Sequence, residues 1–128
     1  MNKQEELFPC LTFCDEINGN IAELNNSQPI FKQLVKRLGR VDEFFSKWLV
    51  GGFDIDAFPY KISPESQATL EKYQEDHTFT CPDGKKMVYS WHFSLTPLAW
   101  RVFFHPDELT RKAIIGYIGP KLPNVKYN

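Results

Sequence analysis

Between Pro29 and Leu49 apolar residues return every three or four positions, the period of a helix with one buried face. Ile30, Phe31, Leu34, Val35 and Leu38 share that face, Pro29 suits a first turn, and Gly39 supplies a stop. Val41, Phe44, Phe45, Trp48 and Leu49 then repeat the spacing up to Gly51 and Gly52, which predicts a second helix with those residues as its core stripe. Ser63, Pro64 and Glu65 provide an N-cap, a first-turn proline and a favourable charge for a third, more polar helix from Pro64 to about Glu75. "CPDGKK" is turn chemistry, and beyond it the period changes to two. Met87–Leu95, Ala99–His105 and Lys112–Gly119 read as strands of an antiparallel meander, separated by "TPL" and "PDELTR". Residues 1–26 hold no sustained period and read as irregular, and the two prolines of the 120–128 tail place it along the surface. The expected architecture is a single α+β domain, helical over 27–76 and a sheet over 85–119, with the helices ahead of the meander.

The two first strands fix each other's register. Met87, Tyr89, Trp91, Phe93 and Leu95 alternate with Val88, Ser90, His92 and Ser94, while Trp100, Val102 and Phe104 alternate with Arg101, Phe103 and His105. Pairing Leu95 with Trp100, Phe93 with Val102 and Trp91 with Phe104 buries the large residues together, each worth roughly 1.5–3 kcal/mol, whereas a one-residue slip exposes half of them. Pro97 excludes a two-residue type I′ turn, so Thr96 to Ala99 form a four-residue connection. The same register sets Ser94 opposite Arg101, His92 opposite Phe103 and Ser90 opposite His105 on the other face. "KAIIGYIG" is apolar on both faces apart from Tyr117, so Tyr117 lies either beside Arg101 or under Trp100.

Composition narrows the function classes. A content of 42% hydrophobic residues supplies a core and excludes a disordered chain. The formal net charge of −1 leaves no global field toward nucleic acid, only local basic groups at Lys85, Lys86, Arg111, Lys112 and Lys121. No apolar run is long enough to span a bilayer, and acidic residues stand where a signal peptide would be apolar, so a soluble, cytoplasmic protein is expected. Three cysteines fit a reducing compartment. Cys10, Cys14, His77 and Cys81 have zinc-ligand chemistry, but their loose spacing favours buried thiols, and neither metal nor cofactor is expected.

The middle strand "AWRVFFHPDE" and last strand "RKAIIGYIGPKLP", after two helices, resemble the RelE/ParE toxin superfamily over about Met87 to Pro123. That resemblance implies a small α/β fold and, in many members, metal-independent mRNA cleavage on the ribosome, held in check by an antitoxin. It implies that Arg101 binds the scissile phosphate, that His105 and Tyr117 stand where relatives place acid or base groups, and that Lys85 and Lys86 contact RNA. The sheet face itself adds His92 as a proton carrier and Arg111, Lys112 and Lys121 as further RNA-binding cations at its edges. Its partners would be an antitoxin, RNA or the ribosome, and a second copy of the chain, with no membrane. The alternatives are a non-catalytic protein-interaction module on the same fold, and an outer sheet face of ordinary solvated residues.

Overall fold

A computed structural model describes residues 8–14, 17, 29–81, 83–95, 100–120 and 122. The chain is α+β, but its helices lie mid-chain, after a strand, and its sheet is mixed. Strand β1 (Leu11–Phe13) precedes helix α1 (Pro29–Ser46) and the short helix α2 (Gln67–Lys72). Strands β2 (Thr78–Thr80), β3 (Lys86–Val88), β4 (His92–Leu95), β5 (Trp100–Asp107) and β6 (Lys112–Pro120) follow. The main sheet runs β1-β6-β5-β4, with β1 parallel to β6 and the other pairs antiparallel, while β2 and β3 form a separate hairpin. Most of the 1–26 segment, the Thr96–Ala99 connection, Lys121, the Ile30 side chain and the tail beyond Leu122 lie outside the described residues.

Gly39 does not stop the first helix. Leu34, Leu38, Val41 and Phe45 form one buried stripe running straight past it. An interior glycine costs a helix about 1 kcal/mol against alanine, less than the burial of Val41 and Phe45 returns. The helix therefore ends at Ser46, and Leu49, expected in the core, is 77% exposed. The stripe packs on Val102, Phe104, Ile115 and Ile118 of the sheet. Aromatics of the following loop close this core, Phe53 stacking on Phe45 at 6.0 Å and Phe58 on Phe104 at 5.2 Å.

The third helix starts later than expected. Ser66, not Ser63, is the N-cap, accepting a hydrogen bond from the Thr69 N–H at 3.1 Å. Ser63 is unavailable because it bridges the outer edge of β4, exchanging two 3.1 Å backbone hydrogen bonds with His92. The helix stops at Lys72, and a 3-10 turn over Gln74–His77 drops His77 into the core.

The expected strand Met87–Leu95 is two strands. Its β4 half keeps the anticipated register: Leu95 faces Trp100, Phe93 faces Val102, Ser94 faces Arg101 and His92 faces Phe103. Phe104 N–H still reaches the Trp91 carbonyl at 3.0 Å, but the chain then turns away, and Ser90 binds the Glu65 N–H instead of facing His105. Met87 and Tyr89 cross to the other side of the sheet, where the β2–β3 hairpin folds over Phe103. The supposedly polar face is thus a second, smaller core of Cys14, Cys81, Tyr89 and Phe103.

An extra residue, Gly116, sits in β6 between the Phe103–Tyr117 and Phe104–Ile115 pairs. This bulge keeps Ile115 and Ile118 on the helix side while Ile114 and Tyr117 face the hairpin, so Tyr117 shares the face of Arg101. None of the helices is long and apolar enough to cross a membrane, among the described residues.

Candidate functional site

The register carries His92 and Arg101 to the β4 edge of the sheet, and the Ser63–Glu65 segment lies against them there. Arg101 Nη1 stands 3.1 Å from His92 Nε2 and 3.5 Å from Glu65 Oε1. His92 Nδ1 stands 3.1 Å from the Ser90 carbonyl oxygen and 3.6 Å from the same Glu65 oxygen. A guanidinium can only donate and a carbonyl can only accept, so the imidazole is neutral, with its proton on Nδ1 and its lone pair on Nε2. The cluster is sheltered: the side chains of Glu65, His92 and Arg101 are 8%, 10% and 17% exposed. Burial pushes His92 below its ordinary value of 6.5, and Arg101 and His77 act the same way against the opposing Ser90 hydrogen bond and Glu65 charge.

In front of this cluster lies a cleft of about 390 Å³ lined by Arg37, Lys61, Ser63, His92, Ser94 and Arg101 around Phe93. Arg37 reaches over from α1, donating to the Ser94 carbonyl at 3.1 Å while its guanidinium rests 4.5 Å from the Tyr60 ring centroid. The cleft wall holds three cations and two hydroxyls and no carboxylate; Glu65 stands behind, steadying Arg101. Such a wall suits a phosphate group.

The other sequence-predicted residues lie outside this hydrogen-bonded cluster. His105 is on the Arg101 face but four residues along β5, about 13 Å away, with buried Phe103 and the hairpin between. It lines a second cavity together with Lys85, Lys86 and Lys112. Tyr117 is stacked on Phe79 at 5.3 Å and donates its hydroxyl to the Pro120 carbonyl at 2.7 Å; burial raises its pKa. Its hydroxyl lies over Gly119, the cross-strand partner of Arg101, so it stays on the Arg101 face, held there by packing. Arg111 caps the opposite end of the sheet, donating to the Gly51 carbonyl with its guanidinium 4.9 Å from the Trp48 ring centroid. That arginine joins a turn to the segment beyond α1, while Lys121 lies outside the described residues.

The four soft ligands do not converge either. Cys14 Sγ and Cys81 Sγ each lie 3.3 Å from the Tyr89 hydroxyl, whereas Cys10 packs against the helix-side core. Among the described residues no group of three or more His, Cys, Asp or Glu is arranged to hold a metal ion.

Sequence reasoning missed Arg37, Lys61 and Glu65. Glu65 had a signal, since a carboxylate beside a proline at a predicted helix start looks like a first-turn charge, but its backbone was taken into the β4 edge. Arg37 and Lys61 carry no spacing that singles them out.

The neutrality of His92 gives a pH prediction. Because the folded pKa lies below the unfolded 6.5, the unfolded chain takes up the proton first, and stability is lost as pH falls from about 6.5. Urea midpoints of wild type are expected to drop more steeply through that range than those of His92→Gln, which can still accept from Arg101. Equal slopes would show that the imidazole titrates freely. Compared with known proteins, the chain matches no family model, no curated protein and no solved structure.

Proposed function

We propose that the chain is a RelE-like protein that binds the phosphate backbone of RNA in the Arg37–Lys61–Arg101 cleft and cleaves it without a metal. The observation that carries this reading is the cleft wall, in which three cations converge beside a neutral imidazole with no facing carboxylate. A phosphate oxygen competes with His92 Nε2 for the Arg101 N–H, and transfer of that hydrogen bond frees the Nε2 lone pair to take the proton of an attacking 2′-hydroxyl, while the P–O5′ bond breaks, the 5′-oxygen takes a proton from water and a 2′,3′-cyclic phosphate remains. The depressed pKa keeps that lone pair available at neutral pH. An antitoxin and the ribosome are the partners this reading brings with it.

A second reading, a non-catalytic protein-interaction module, is favoured by one observation. Leu49 and Val50 in the loop beyond α1 and Leu109 in the β5–β6 turn are 77%, 82% and 95% exposed, and Arg111 ties the two segments together.

A single-stranded RNA oligonucleotide separates the two. Wild type is expected to bind it with a steep salt dependence, and Arg37→Ala with Lys61→Ala to lower that slope by about one per lost phosphate contact. His92→Gln should retain binding and lose cleavage, and expression of wild type should arrest bacterial growth while His92→Gln does not. Failure of wild type to bind or cut RNA, with normal growth on expression, overturns the proposal in favour of the interaction module.

A further inference from the structure

At the other end of the same sheet face, the geometry points to a separate site for a small phosphorylated ligand with an apolar body. The cavity there measures about 450 Å³, within the range of small-molecule pockets. Its floor is apolar, made of Met87 on the hairpin, Ile114 on β6 and the Cys81 thiol. Above the floor stand Lys85, Lys86, Lys112 and His105, drawn from three different elements. Among the described residues, none of these three ammonium groups makes an ion pair or hydrogen bond, and His105 has no partner.

Two acids also line the cavity, with one oxygen of Asp83 and both of Asp107 engaged in turns. Asp83 accepts from the Lys85 N–H at 2.9 Å, and Asp107 accepts from the Leu109 N–H at 3.0 Å and the Thr110 hydroxyl at 3.1 Å. Among the described residues the three ammoniums thus stand as point charges without an ion pair, beside the apolar lining. Three flexible ammoniums and an imidazole match a phosphate dianion better than a single carboxylate, and the floor accommodates a ring. The cavity has the volume of a small ligand, and Phe103 with the hairpin packed over it lies between the cavity and the Arg101 cleft. The two sites are independent.

Titration of the full chain with adenosine monophosphate, adenosine and inorganic phosphate, followed calorimetrically and by the His105 ring and Met87 methyl resonances, tests this. The monophosphate is expected to bind at least about tenfold tighter than either fragment and to move both resonances. Lys86→Ala with Lys112→Ala, both exposed positions, should weaken it by about tenfold or more, and Lys61→Ala in the other cleft should leave it unchanged. Monophosphate binding no tighter than that of phosphate, insensitivity to the lysine pair, or loss on Lys61→Ala each overturns the assignment. Binding of RNA without binding of the monophosphate does so too.

Discussion

Arg101→Ala is expected to destabilise the fold by about 3 kcal/mol and to abolish RNA binding together. Glu65 and His92 are both nearly inaccessible, and both lean on the one guanidinium. Removing it leaves a buried carboxylate without its cation and an imidazole lone pair without its donor, and the desolvation already spent on the carboxylate is then uncompensated. Adding Glu65→Ala to the alanine variant should therefore cost less than the sum of the two single changes, a coupling that denaturant melts of the four proteins measure directly. Arg37→Ala, by contrast, should lower affinity with little change in stability, since Arg37 serves an exposed carbonyl and an exposed cleft. An Arg101→Ala protein as stable as wild type would show that water, not protein, solvates the cluster.

Gly116→Ala carries the second large effect. A methyl group there would sit 2.8 Å from two ring atoms of Tyr89 and 2.9 Å from a third. The ring cannot step aside, because it is 1% exposed and its hydroxyl is held between the thiols of Cys14 and Cys81. Overpacking of this kind costs about 2–3 kcal/mol. Tyr89→Leu removes the obstructing ring atoms, so in that background the added methyl should cost much less. Gly119→Ala makes a useful contrast: its methyl would meet Tyr117 at the hydroxyl end, which lies toward solvent and has more room to move. Equal losses at the two glycines would mean that the bulge itself, rather than the Tyr89 ring, demands Gly116.

The parts of this fold that could be read from sequence are those where several large residues enforce one period. The β4–β5 register was legible because four consecutive pairs alternate cleanly, and it brought His92 and Arg101 together correctly. The stripe of α1 was legible too, though its continuity across Gly39 was not, because a glycine's local preference is visible in sequence and the compensating burial is not. β1 and β2 are three residues each, too short to display alternation. The turn of the chain at Ser90 was hidden by the unbroken alternation from Met87 to Leu95, which continues through residues that pack on opposite sides of the sheet. Tyr117 could not be assigned a face because an apolar strand gives no sign of where a bulge inserts its extra residue. The same limitation grouped residues that line two separate cavities, since strand parity reports which side a residue faces and says nothing of what covers it.

The order of the main sheet bears on how the protein behaves when concentrated. Its long strands, β5 and β6, are interior, and its described margins are the three residues of β1 and the four of β4. On the β4 side Ser63 has already occupied the free hydrogen-bonding groups of His92, and Arg37 covers the carbonyl of Ser94. A neighbouring molecule finds no long ribbon of open amides to extend, so fibrillar growth by strand addition lacks a template at this edge.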